Sequence, residues 1–295
     1  MPELPEVETI VRGLRPHLVG RRLVRVDQRR AGLRFPFPAN FAQRLEGRRV
    51  TRIGRRAKYI LIYLDDGQVL LCHLGMSGRL TICNGAGRNG TGRNGTGRNG
   101  TRAAPDKHDH VILETDEGRE LRFNDARRFG MMDLIAESEL DSHPLLAGLG
   151  PEPLGNDFNG PELARRLAGK RSPIKAALMD QRVVAGLGNI YVCESLFLAG
   201  ISPRRKAYTV QGGRAERLVR AVRDVLGRAI DAGGSSLRDY VQASGELGYF
   251  QHSWAVYGRE GARCPGCTCD PATTGGIRRM VQSNRSTFYC ATRQR

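Results

Sequence analysis

Behind a Pro-punctuated start, Met1-Pro2-Glu3-Leu4-Pro5-Glu6, the apolar residues Val7, Ile10, Val11, Leu14 and Leu18 recur at helical spacing until Gly20 ends the series. The first predicted element is therefore an amphipathic helix. From there to about residue 137 the period shortens to that of strands. Segments 59–64 and 69–74 flank Asp65-Asp66-Gly67, and 110–114 and 121–123 flank Asp116-Glu117-Gly118, so each pair reads as a hairpin. An antiparallel β sandwich over 1–137 is the expected architecture. Gly, Pro and Asp cluster in 148–159, which places a linker over 138–159. Beyond it the period is helical, over 161–168, 174–180, 190–198, 210–232 and a short stretch at 235–242. The last residues, 244–295, are rich in Gly, Pro and Cys and predict a small β-ribbon, so the chain as a whole reads as α+β. Residues 84–104 stand apart: Arg-Asn-Gly-Thr-Gly repeats with period five and has no apolar face. They are expected to form a disordered basic insertion, more a drifting low-complexity loop than a dedicated DNA arm.

Composition narrows the class. A chain of 295 residues with 40% apolar and 26% charged positions is globular and long enough for about two domains. Its longest apolar run is only strand-sized, so no membrane span is expected. The acidic start is not that of a secretory signal, and a cytoplasmic location follows as the expectation. The formal charge of +17 makes nucleic acid the default partner, through phosphate neutralisation and counterion release. Only five of the 47 basic residues are lysines; arginine suits phosphate, and a GC-rich coding bias would favour it equally. Cys72, Cys83 and Cys193 are scattered and read as small core residues, whereas Cys264, Cys267, Cys269 and Cys290 crowd the end of the chain as a metal site would.

Candidate chemistry sits at the start. Once Met1 is trimmed, Pro2 carries a free secondary amine, and an α-amino group titrates at about 7.7 to 8.0, against about 10.4 for lysine. Such an amine is a nucleophile without elaborate tuning. Attack on a sugar C1′ would give an iminium with no N–H proton to lose, an electron sink for elimination at C2′. Glu3 or Glu6 could donate a proton, or simply favour the helix N-terminus. Gly186-Leu187-Gly188-Asn189 precedes a helix expected from about residue 190, so its amides and an N-cap side chain from Asn189 could hold a phosphate.

Pro2-Glu3-Leu4-Pro5-Glu6-Val7-Glu8-Thr9 resembles the amino terminus of the bacterial formamidopyrimidine-DNA glycosylase family. Arg56-Ala57-Lys58-Tyr59, His73-Leu74-Gly75-Met76-Ser77-Gly78, Lys107-His108-Asp109-His110, Arg127-Arg128-Phe129-Gly130, Gly186 to Tyr191 and Gly248-Tyr249-Phe250 continue the resemblance in order. It implies a bifunctional DNA glycosylase and AP lyase that excises oxidised purines such as 8-oxoguanine and formamidopyrimidines from duplex DNA, by a Schiff base followed by β,δ-elimination. Pro2 would be the nucleophile, Glu3 the acid and Lys58 a second basic group at phosphate; by residue type alone Lys58 is a snorkelling strand lysine. Met76, Arg127 and Phe129 would fill the gap left by a flipped nucleotide, though Met76 and Phe129 by type alone read as core. Ala126 stands where the family has proline, which implies a looser loop. His108, Lys170, Lys175 and Asn189 match positions near phosphates, and Arg285 matches an arginine that grips DNA and takes part in the second elimination.

The implied domains are a catalytic sandwich over 1–137, a helix–two-turn–helix domain over 160–243, and a lesion loop with a zinc-finger ribbon over 244–295. In the ribbon the family pattern is Cys-x2-Cys twice, and here the last position falls on Arg293, which cannot bind zinc. Cys264, Cys267 and Cys290 are then three ligands, and the fourth is either Cys269, in a tight Cys-Thr-Cys geometry, or missing. Without a fourth ligand, Ile277, Val281, Phe288 and Tyr289 must hold the ribbon by packing. The expected partner is damaged double-stranded DNA and the expected state a monomer. Two rivals remain: an endonuclease VIII-like enzyme for oxidised pyrimidines, disfavoured by Leu4 and by the segment 244–250, and a non-catalytic DNA-binding zinc-ribbon protein.

Overall fold

The structure is a computed structural model that describes residues 1–84, 104–236 and 240–295. Residues 85–103 of the predicted insertion fall outside the described residues, and Asn84, its first residue, ends a strand. The chain divides into two compact units, Met1–Ala147 with Ala232–Gln251, and Gly148–Asp231 with His252–Arg295.

The first unit opens with helix α1 (Leu4–Leu18), whose apolar stripe Val7, Ile10, Val11 and Leu14 is fully buried. Strand β1 (Leu23–Gln28), the short helix α2 (Phe41–Leu45) and strands β2 (Val50–Arg56), β3 (Tyr59–Leu64), β4 (Gln68–His73), β5 (Arg79–Asn84), β6 (Asp109–Thr115), β7 (Arg119–Asn124) and β8 (Met131–Ala136) follow. They form two four-stranded antiparallel sheets, ordered β1-β6-β7-β5 and β2-β3-β4-β8. Alternate residues of both sheets (Val26, Leu113 and Phe123; Ile53, Ile62 and Leu70) share one apolar core with α1, as a sandwich requires. Gly67 and Gly118 adopt φ of 76° and 73° in the turns where the sequence placed them.

The described residues of 235–242 do not form the expected helix. Gly233 and Gly234 take positive φ, Ser235 forms a bridge with Tyr249, and the Gln242 amide donates to the Glu246 carbonyl. None of these interactions is the bond of a helix, from an amide to the carbonyl at i−4, and Tyr240 and Ala243 fill the sandwich core.

The second unit contains helices α3 (Gly160–Leu167), α4 (Ile174–Met179), α5 (Asn189–Leu198), α6 (Gly213–Asp231) and α7 (Pro271–Thr274) and a hairpin of strands β9 (Ile277–Gln282) and β10 (Arg285–Cys290). Helix α5 is buried over nearly its whole length, which is why its sequence is apolar almost all round. The hairpin departs from expectation in its packing: Ile277 and Tyr289 are buried, but Val281 is 67% exposed, because only the root of the hairpin reaches the core and its tip projects.

Candidate nucleic-acid interface and catalytic residues

Glu3 and Glu6 close a reciprocal capping box at the start of α1, the Glu3 side chain facing the Glu6 amide and the Glu6 carboxylate the Glu3 amide. The Glu6 carboxylate is buried and accepts from two backbone amides, Glu3 N–H at 2.8 Å and Ser235 N–H at 2.8 Å. It is thus a structural clamp that ties the helix start to Ser235, a second attachment beyond the capping box. Both Pro2 and Glu3 are buried, while Met1 is 48% exposed.

Lys58 follows Ala57, whose φ of 53° makes the tight turn between β2 and β3. The turn is fixed by Arg55, which donates to the Ala57 carbonyl at 2.8 Å and to Glu8 of α1 at 3.0 Å. Burial pushes the Glu8 carboxyl up, but Arg55 and Arg12 outweigh it and hold the group below its ordinary value. Lys58 itself is only 6% exposed, so it is not a snorkelling lysine. Its charge is felt by His73, which burial first, then Lys58 and Arg34, depress to about 4. His73 is therefore neutral near pH 7, and its Nδ1 accepts from the Gly75 amide at 3.0 Å.

That amide begins one of two loops held together by Asp125. The fully buried Asp125 carboxylate accepts from Ser77 Oγ at 2.5 Å and from the Gly130 amide at 2.8 Å. Ser77 Oγ in turn accepts from the Arg127 amide at 3.2 Å. The loops approach so closely that a Cβ on Gly75 would lie 2.3 Å from the Phe129 carbonyl carbon. Three side chains stand out from this platform: Met76 (41% exposed), Phe129 (46%) and Arg127, whose guanidinium lies over the Phe129 ring at 4.8 Å. Their exposure sets aside the core assignment that residue type alone gave Met76 and Phe129. His108 is anchored beside the platform, because its carbonyl accepts from the Asp125 amide at 3.0 Å and its own amide donates to Asp106 at 2.8 Å.

In the second unit the turn at Gly186 to Asn189 enters α5 one residue earlier than expected. Gly188 is the N-cap, so Asn189 is the first helical residue and does not cap. Its amide group instead donates to the Ser286 carbonyl at 2.9 Å and to Tyr257 Oη at 3.3 Å. Its buried Oδ1 has no hydrogen-bond partner among the described residues. Lys175, 1% exposed, donates to Thr287 Oγ1 at 2.7 Å and to the same Ser286 carbonyl at 3.2 Å. Asn189 and Lys175 therefore set the strand that begins with Arg285. Ser283 and Asn284 both take left-handed φ, a two-residue turn that leaves Arg285 exposed next to the hairpin tip. Lys170 is half-buried at the approach to α4.

Sequence reasoning missed Asp125, Ser77 and Glu194. The Glu194 carboxylate, on α5, is buried and accepts from the amides of Ala255, Val256 and Tyr257 at 2.8 to 3.0 Å. Ser77 and Asp125 are 48 positions apart, so no local pattern joins them; a polar residue inside a Gly-flanked motif was the available signal.

Cys264, Cys267, Cys269 and Cys290 converge, with all four sulfurs within 4.8 Å of one another. Individual separations are 3.0 Å (Cys267 to Cys269), 3.6 Å (Cys267 to Cys290) and 3.8 Å (Cys269 to Cys290). A tetrahedral zinc with Zn–S bonds of about 2.3 Å needs sulfurs about 3.8 Å apart; Cys290 stands at that spacing from Cys267 and Cys269, whereas Cys267 and Cys269 would have to part by about 0.8 Å to hold such an ion. Burial pushes the Cys264 thiol up to about 12, a cost that a bound cation would offset by displacing the proton.

Comparisons with known proteins agree with one another. Residues 1–132 match the family described as formamidopyrimidine-DNA glycosylase N-terminal domain, and 149–241 the formamidopyrimidine-DNA glycosylase H2TH domain. A formamidopyrimidine-DNA glycosylase of Rhodospirillum centenum is 62% identical and one of Rhodospirillum rubrum 57% identical, each alignment covering 100% of both chains. Among solved structures, the MutM (Fpg) protein of Thermus thermophilus superposes with a TM-score of 0.82 at 39% identity, over 99% of this chain and 98% of that one. The Lactococcus lactis Fpg in complex with DNA containing an abasic site gives 0.83 at 29% identity, over 99% of each chain.

Proposed function

The chain belongs to the formamidopyrimidine-DNA glycosylase family, and from that membership we propose the residues through which it removes a damaged base and cuts the strand. It is a DNA N-glycosylase with AP lyase activity, acting in repair of damaged DNA. After removal of Met1, the Pro2 nitrogen attacks C1′ of the damaged nucleotide. The C1′–N bond breaks, and the base leaves with the electron pair and takes up the proton that the Pro2 nitrogen gives up; Glu3 then protonates the sugar oxygen, and cleavage of its bond to C1′ opens the ring and leaves the iminium. Loss of a C2′ proton into that electron sink expels the 3′ phosphate, and a second elimination expels the 5′ phosphate. Lys58 and His108 hold phosphates in the first unit; Lys170, Lys175, Asn189 and Arg285 serve DNA from the second, Lys175 and Asn189 by setting the hairpin and Arg285 by direct contact. Met76, Arg127 and Phe129 fill the space vacated by the flipped nucleotide.

The observation that supports this reading is the exposure of Met76 and Phe129 on two loops joined by the buried Asp125 carboxylate, with the Arg127 guanidinium over the Phe129 ring, so that an apolar and a cationic group face outward from one anchored platform. Oxidised purines are the proposed lesions, with oxidised pyrimidines the alternative. A panel of lesion duplexes ranks the two, and an abasic duplex tests the chemistry: uncut abasic DNA would reduce the protein to a binding module.

Zinc, one per chain, is the group proposed for the four cysteines, as a staple of the ribbon with no part in the reaction. Damaged duplex DNA is the proposed partner, the protein acting as a monomer in the cytoplasm. Among the described residues no helix is long and apolar enough to cross a membrane.

A further inference from the structure

Two knuckles of the form Cys-x2-Cys are the ordinary frame of a zinc ribbon. Here the first is present as Cys264-Pro265-Gly266-Cys267, and the second would begin at Cys290 and end at residue 293. Arginine at 293 is a permanent cation with donors only, so it cannot ligate a metal. The sulfur that completes the set is that of Cys269, 3.0 Å from Cys267 and 3.8 Å from Cys290.

Arg293 points elsewhere. Its Nη1 donates to the Gly266 carbonyl at 2.7 Å, its Nε donates to the Phe197 carbonyl at 3.3 Å, and its guanidinium lies over the Phe197 ring at 5.0 Å. It thus bridges the first knuckle to the C-terminal end of α5, where helix carbonyls lack intrahelical donors and favour a cation. Gly266 is needed for this approach, because a Cβ there would lie 2.9 Å from the Arg293 side chain. The neighbouring residues continue the attachment. Gln294, 3% exposed, donates to the Ile201 carbonyl at 3.0 Å and accepts from the Cys290 amide at 2.8 Å. The Arg295 amide donates to the Gly200 carbonyl at 3.2 Å, and the Ser202 amide donates to the Arg295 carbonyl at 3.2 Å. None of these bonds involves a sulfur.

We infer that this chain carries a relocated metal site, Cys264-x2-Cys267-x-Cys269 with Cys290, and that Arg293, released from ligation, fastens the ribbon to α5 without metal. The ligand half rests on the zinc reading above; the latch half does not. The ribbon is then held twice. Three of the four ligands lie within six residues of one loop, so the metal orders that loop and pins it to β10, while the segment 293–295 pins the same strand to α5.

The test uses the full chain, stripped of metal under reducing conditions and titrated with Co2+, whose absorption reports the number of thiolates. Wild type should take up one Co2+ with a four-thiolate spectrum. C269S should bind at least 100-fold more weakly with a three-thiolate spectrum, and C269H should bind with the spectrum of three thiolates and one imidazole. R293A should keep the wild-type spectrum. Hydrogen exchange then reads the latch: in metal-free protein the β9–β10 amides should stay protected in wild type and exchange at least tenfold faster in R293A, a difference that metal loading removes. A wild-type spectrum in C269H or C269S would overturn the ligand assignment. Equal hairpin protection in metal-free wild type and R293A would overturn the latch. A wild-type chain that takes up no Co2+ would instead refute the zinc reading, while leaving the exchange comparison to decide the latch.

Discussion

Replacing Asp125 by alanine should separate the two activities of the enzyme. The carboxylate is fully buried and accepts from the Ser77 hydroxyl and the Gly130 amide, which join the loop of Met76 to that of Arg127 and Phe129. Hydrogen bonds to a charged acceptor contribute about 1.5–3 kcal/mol each, so two of them amount to roughly 3–6 kcal/mol. Removing a buried charge returns part of that through relieved desolvation, which leaves a net cost of about 3 kcal/mol. In a unit of this size 1 kcal/mol moves the melting temperature by about 2–4 °C, so D125A should melt about 6–12 °C lower. D125N keeps one acceptor and should lose about half as much. Backbone bonds from Asp125 to His108 and His110 survive either substitution, so the sandwich persists and the damage is confined to the two loops. Single-turnover excision of 8-oxoguanine, measured well below the new melting point, should fall at least tenfold more than cleavage of a preformed abasic site, where no base needs to be displaced. A tenfold gap corresponds to about 1.4 kcal/mol of barrier. An unchanged melting temperature, or equal loss of both activities, would refute the argument that Asp125 holds the platform.

Borohydride should trap the enzyme on damaged DNA through the Pro2 nitrogen, and an adduct mapping to Lys58 by peptide mass would defeat the proposed chemistry. R127A should impair excision more than abasic cleavage, and equal loss with the fold intact would leave Arg127 only a general DNA contact. His73 is depressed from 6.5 to about 4 in the folded protein, so its neutral form contributes stability that is complete above pH 6.5 and is lost as pH falls towards 4. The loss should reach about 3 kcal/mol, read from denaturant midpoints across that range, and His73→Gln should flatten the slope; a parallel pH profile in the variant would rule out His73 as its source. E194A should destabilise the second unit by about 3 kcal/mol, since three amides lose a charged acceptor, and a shift in midpoint worth under 1 kcal/mol would show that water replaces it.

Elements whose periods are local follow from the order of residues alone. Apolar spacing and turn residues act over a few positions, so they predict the strand over residues 59–64 with its observed bounds, and α1 and α4 nearly so. The sequence also carries the catalytic candidates, since Pro2, Glu3 and Lys58 lie in motifs whose order along the chain identifies the family. Where the local signal conflicted with distant partners it failed. The stretch 235–242 has a helical pattern, but at its first residue the bridge to Tyr249 and the clamp from Glu6 claim the Ser235 backbone. Met76 and Phe129 are apolar residues whose exposure no spacing announces; a carboxylate about 50 positions from one of them holds both loops out.

The ribbon shows the division most plainly. Sequence counted four cysteines and found the last knuckle broken at Arg293, but it left open whether Cys269 could reach. Tertiary structure decided that question, because the helix of Pro271–Thr274 and the hairpin return Cys290 to the loop that holds Cys269. Local pattern specifies which face of an element is apolar, whereas the choice of ligand depends on which thiols meet after the chain has closed long loops. That information resides in the packing of α5 against the hairpin root, not in any window of the sequence.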